Sequence, residues 1–64
     1  MLKIFLKDYR LKNNLSQYQI AEKLETSQAY YSQIETGVKK PSFKMIRKMA
    51  KVFNVEESYL RSLL

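Results

Sequence analysis

Apolar residues recur along the chain at helical spacing, and no stretch shows the period of two that marks a half-buried strand. Leu2, Phe5, Leu6 and Tyr9 form the first stripe, predicting a helix from Leu2 to Asn13 with Asn14 as a left-handed stop. A second helix opens at Ser16. The run Ser16, Gln17, Tyr18, Gln19 has the form of a capping box, in which the Ser hydroxyl accepts from the Gln19 backbone and the Gln19 side chain reaches back. Ile20, Ala21 and Leu24 then face inward. Thr26 and Ser27 compete with helix by bonding nearby backbone, so they end the second helix, and Ser27 caps a third from Gln28 to Thr36. Gly37, the only glycine, supplies the stop. The only proline, Pro41, keeps Val38 to Pro41 as loop, and Ser42 caps a fourth helix running through Phe53. Its expected buried stripe is Phe43, Ile46, Met49, Ala50 and Phe53. Asn54 suits another left-handed stop, and Glu56 or Glu57 begins a short fifth helix carrying Tyr59, Leu60, Leu63 and Leu64. The pattern predicts an all-α fold, a compact bundle of five short helices in a single domain over residues 1–64.

Composition narrows the chemistry. A chain of 64 residues buries only about 60% of the surface its unfolded form exposes, so every element must share one core. Without Cys or His there is no disulfide, no zinc ligation through those residues and no thiolate or imidazole catalysis, and neither metal nor cofactor is expected. The six carboxylates include no obvious converging pair, and there is no Gly-rich phosphate loop, so the chain is not expected to be an enzyme. No apolar run approaches the roughly 18 residues that cross a bilayer, and no membrane partner is expected.

Charge points to a polyanion. Twelve Lys and Arg against six Asp and Glu give a net charge of +6. The distribution says more than the total. Between Thr36 and Val55 lie Lys39, Lys40, Lys44, Arg47, Lys48 and Lys51 with no acidic residue among them. Such a block is often only a solvated face. Here it adjoins the third helix, whose residues, placed 100° apart, separate into two faces. Ser27, Tyr31 and Ile34 point one way, and Gln28, Ala29, Ser32, Gln33 and Thr36 point the other. The second face is uncharged and rich in amides and hydroxyls. Gln can pair in bidentate fashion with adenine N6 and N7, Ser can donate or accept, and the Ala29 methyl can meet a thymine methyl. Two short helices joined by a tight turn, with Ala21 small where they cross, have helix-turn-helix spacing over about residues 17–36.

At these residues the sequence resembles the Cro and phage-repressor family of helix-turn-helix domains, also called lambda-repressor-like. The resemblance rests on LSQYQIAEKL at Leu15 to Leu24, YSQIETGVKKPS at Tyr31 to Ser42, and MAKVFNV at Met49 to Val55, and it covers about Leu6 to Leu60. It implies a five-helix bundle whose third helix enters the major groove of double-stranded DNA. By position, Gln28, Ala29 and Gln33 fall at base-reading sites with Ser32 beside them. Gln17 falls where the family bonds a phosphate, aided by the helix dipole. Thr36, Lys39, Lys40, Ser42 and Lys44 lie in or next to the loop that grips the DNA backbone. For Tyr30, between the two faces, a phosphate contact and plain packing fit equally well. Arg10 and Glu35 match a pair that forms an internal salt bridge in family members. Three positions depart from the pattern. Glu25 replaces the turn glycine, putting a non-Gly residue at positive φ for about 1 to 2 kcal/mol, and Thr26 and Tyr31 replace aliphatic residues.

The implied function is a sequence-specific transcriptional regulator, a repressor in the cytoplasm of a bacterium or associated with a phage or mobile element. One small domain buries too little DNA for tight specific binding, so a homodimer on a roughly palindromic operator is expected, with half-sites about 34 Å apart. Tyr59, Leu60, Leu63 and Leu64, with Phe5, either complete the core or form a dimer patch. The rival reading is a protein-interaction module, such as an antitoxin or the partner of an anti-repressor, with DNA binding secondary to a regulatory protein partner.

Overall fold

The computed structural model describes all 64 residues, in five helices: α1 (Leu2–Lys12), α2 (Gln17–Lys23), α3 (Gln28–Glu35), α4 (Phe43–Phe53) and α5 (Glu57–Ser62). Short helices gain little from propensity and depend on their ends and their packing. Three of them start on a serine. Ser16, Ser27 and Ser42 each accept the N–H three residues on, all at 3.1 Å. At Ser16 the capping box is complete, because the Ser16 N–H donates to Gln19 Oε1 at 2.8 Å.

Four helices stop by one device. Asn14, Glu25, Gly37 and Asn54 have φ of 54°, 57°, 85° and 56°. Immediately after them, Leu15, Thr26, Val38 and Val55 turn their N–H groups back onto Arg10, Ala21, Gln33 and Ala50 at 2.8 to 3.0 Å. This six-to-one bond marks the Schellman motif, which reverses the chain while satisfying a terminal carbonyl. Asn tolerates the left-handed region, Gly meets no steric penalty there, and Glu25 alone carries the full Cβ penalty. At Gly37 an added Cβ would meet only the Lys3 side chain, at 3.4 Å, so the positive φ rather than lack of space is what favours glycine.

Thirteen apolar residues form one core drawn from all five helices, including Leu6, Ile20, Tyr31, Met49 and Leu60 at zero exposure. Ala21, 1% exposed, leaves the space that lets α2 and α3 approach. Phe5 stacks at its margin among Tyr9, Phe53 and Tyr59. One expectation fails. Phe43 is 75% exposed and Met45 is buried in its stead. Phe43 has the right angular phase but is the first residue of α4, projecting past the edge of the core where no element covers it. At the far end Leu60 joins the core and Leu63 packs against it, whereas Tyr59 and Leu64 stay about half exposed.

One ion pair ties α1 to the end of α3. Arg10 Nε–H donates to Glu35 Oε1 at 2.9 Å, with side-chain exposures of 16% and 4%. Arg10 Nη1 also donates to the Leu15 carbonyl at 3.2 Å, and Gln17 Nε2 donates to Glu35 Oε2 at 2.6 Å. Both carboxylate oxygens are thereby bonded. Arg10→Met is expected to destabilise the domain by about 3 kcal/mol, because Glu35 keeps its burial and loses its counter-charge; urea denaturation would measure this. Replacing both residues by Met should recover part of that loss, and an equal or larger loss in the double variant would show that the pair is not the source. In the same assay Glu25→Gly should gain about 0.5 to 1 kcal/mol, the relief of left-handed strain less the backbone entropy that glycine adds.

Candidate nucleic-acid interface

The third helix separates into the two faces its sequence predicts, except that Ser27, expected on the core side, is exposed as the cap of the helix. Tyr31 and Ile34 are buried, anchoring α3 to the core, and Gln28 and Ala29 are exposed. Ser32 and Gln33 are half-buried, so the outward polar strip narrows toward the C-terminal half of the helix. Its only charged residue, Glu35, is turned inward and neutralised by Arg10. The surface of α3 that meets solvent is therefore uncharged.

Past the helix, the chain folds back on it. The Gln33 carbonyl accepts both Val38 N–H at 2.8 Å and Lys39 N–H at 3.1 Å, fixing the loop to the last turn of α3. Lys39 and Lys40 are consequently held, exposed, beside that turn. Thr36 Oγ1 donates back to the Ser32 carbonyl at 2.9 Å, which commits its hydrogen within the helix. Ser42 differs. Its Oγ accepts from Met45 N–H, leaving the hydroxyl hydrogen free at an exposed helix start. Lys44 follows on the first turn of α4, exposed and outside any ion pair.

The one-signed block of the sequence is not uniform in space. Lys48 lies 3.7 Å from Glu25 and Arg47 lies 3.9 Å from Glu57, so acidic residues distant in sequence partly compensate both. Lys39, Lys40, Lys44 and Lys51 have no such partner. Two further cations join from the opposite terminus. Lys3 and Lys7 line a groove with Arg10, Gln17, Glu35 and Thr36, which brings them beside the end of α3. The signal for them was legible, since Lys3, Lys7 and Arg10 stand at i, i+4 and i+7 and share a helix face. What hid their relevance was that α1 lies so near to α3 only in the folded chain.

Gln17 sits at the start of α2, half-buried, with its amide engaged by Glu35. In the free protein its side chain thus belongs to the Arg10 and Glu35 network. Tyr30 packs against the core from its margin. Tyr31 is wholly buried and its hydroxyl has no hydrogen-bond partner. Burial first, and the nearby Glu35 carboxylate second, push its phenol far above the ordinary range against a smaller opposing effect of Arg10. It is a neutral hydroxyl at every physiological pH.

No cluster of acidic side chains is arranged to hold a metal ion, and no helix is long and apolar enough to cross a membrane. Comparison with known proteins agrees with the geometry. The family model described as helix-turn-helix matches residues 6–60, which takes in α2, the turn, α3 and most of the elements that support them. No curated protein and no solved structure matches the chain. An all-helical fold, a capped pair of short helices with an uncharged outer strip, and a family match over most of the length converge on one assignment. The chain belongs to the helix-turn-helix family of DNA-binding regulators, of the Cro and phage-repressor type.

Proposed function

We propose that this protein recognises a specific duplex DNA sequence by laying α3 in the major groove, with Gln28, Ala29, Ser32 and Gln33 against base edges. The observation that carries the reading is the uncharged outer strip of α3 set between unpaired lysines. Phosphates attract cations from any sequence, whereas amides and hydroxyls discriminate among base edges, so the two tasks fall to different side chains. Lys39, Lys40 and Lys44 contact the backbone on one side, together with the free Ser42 hydroxyl. Ser42 is better suited to a phosphate than Thr36, whose hydrogen is already donated to Ser32. Gln17, Lys3 and Lys7 face the backbone on the other side. The protein acts as a homodimer on a palindromic operator and represses by occupying a promoter, since two half-sites are needed to reach useful affinity from so small a surface.

Selecting bound sites from random duplex DNA and measuring the stoichiometry of the complex tests the reading at once. An enriched palindrome bound by two chains is the expected result, and absence of any enriched sequence would overturn it. On the selected site, Gln28→Ala or Gln33→Ala should weaken binding by about 1 to 3 kcal/mol while leaving affinity for random DNA nearly unchanged. Lys40→Ala, Lys44→Ala and Lys7→Ala should each weaken binding to every sequence. Each should also reduce the slope of log affinity against log salt by about one unit for every phosphate no longer neutralised. A titration across a series of salt concentrations reads the slope directly, and an unaltered slope would remove that lysine from the backbone contacts.

A further inference from the structure

Both oxygens of Glu35 are bonded while a buried donor on the same face of α3 is not. Arg10 bonds one carboxylate oxygen and Gln17 the other, while the Tyr31 hydroxyl, buried one helical turn earlier on the same face of α3, bonds nothing. Residues at i and i+4 of a helix share a face, both side chains are buried there, and the Glu35 carboxylate lies near enough to the Tyr31 phenol for its charge to oppose ionisation of the hydroxyl. A buried hydroxyl without a partner costs free energy, and the free protein bears that cost.

Binding DNA through Gln17 changes the balance of donors. An amide that turns its N–H groups to a phosphate leaves Glu35 with an unbonded oxygen in a nearly dry site. We propose that Tyr31 is a positioning residue for DNA binding: when the Gln17 amide leaves Glu35 for a backbone phosphate, the Tyr31 hydroxyl donates to Glu35 in its place. This rests on the reading of Gln17 as a phosphate contact. The exchange satisfies the hydroxyl, keeps the Glu35 charge doubly bonded, and lets Arg10 hold α3 against α1 throughout. Tyr31 thus favours the DNA-bound state without touching DNA, and its contribution is independent of base sequence because a phosphate is the trigger.

The test is a double-variant cycle with Tyr31→Phe and Gln17→Ala. Binding is measured by fluorescence anisotropy at fixed salt on a duplex recovered from random-sequence selection and on an unselected duplex of equal length. Tyr31→Phe should melt at or above the wild-type temperature, since it removes the orphaned hydroxyl, yet weaken binding to both duplexes by about tenfold. In the Gln17→Ala background the same substitution should change binding by less than about twofold. An unchanged affinity for Tyr31→Phe, or an equal loss with and without Gln17, would overturn the exchange while leaving the DNA-binding reading intact. A lower melting temperature would overturn it also, by showing that the hydroxyl already has a partner in the free protein. Failure of the wild type to bind either duplex would instead overturn the proposed function, and the exchange with it.

Discussion

Glu35 holds a negative charge at the last turn of α3 almost wholly out of water, and the placement of three chain segments follows from how that charge is satisfied. Arg10 comes from α1 and Gln17 from α2, and Arg10 additionally bonds the Leu15 carbonyl in the connection between those two helices. A buried charge without its partners costs several kcal/mol, a large share of the roughly 3 to 10 kcal/mol that a domain of 64 residues has in total. The carboxylate therefore acts as a registration point. Displacing α3 along its axis, or rotating it, would break bonds to two other helices at once. A helix of eight residues needs such a constraint, because its fully buried apolar anchor is only Tyr31 and Ile34, with Tyr30 at the core margin.

Helix ends supply the second constraint. With helices of six to eleven residues, terminal groups are a large fraction of the backbone, and leaving them unbonded would outweigh what the interior of each helix contributes. Serine hydroxyls meet this need at three starts and left-handed residues meet it at four stops. These motifs also set direction. Each reverses the chain within two or three residues, so α2 and α3 are joined almost without slack and the loop after α3 is fixed to the Gln33 carbonyl. The cost of Glu25 at positive φ is accepted at the turn between α2 and α3, where its carboxylate also approaches Lys48.

Charge and shape divide the work of the surface. In the proposed complex a neutral strip on α3 avoids the desolvation cost that a buried lysine would incur in the groove, and it leaves discrimination to groups whose hydrogen-bonding geometry is directional. The cations stand around it on three separate elements, α1, the loop after α3 and the start of α4. Coulombic attraction to phosphate is long-ranged and screened by salt, so it needs approximate placement only. This is why lysines can sit on a loop while the amides sit on a helix tied down at both ends.

Residue pattern by itself determined the local structure: the three serine caps, three of the four left-handed stops and the two faces of α3 were legible, because each depends on neighbours within about five positions. The Arg10 and Glu35 pairing and the positive φ of Glu25 were legible through family resemblance and are present in the structure. Tertiary packing decided the rest. Phase alone put Phe43 in the core, but burial also requires an opposing element, and none reaches the first residue of α4. The basic block looked continuous in sequence until the fold brought Glu25 and Glu57 toward Lys48 and Arg47. Gln17 bonding Glu35, the orphaned Tyr31 hydroxyl, and Lys3 and Lys7 beside α3 all arise between residues far apart in the chain or from burial. Periodicity reports which side of a helix is dry, whereas the partner found there depends on how the helices cross.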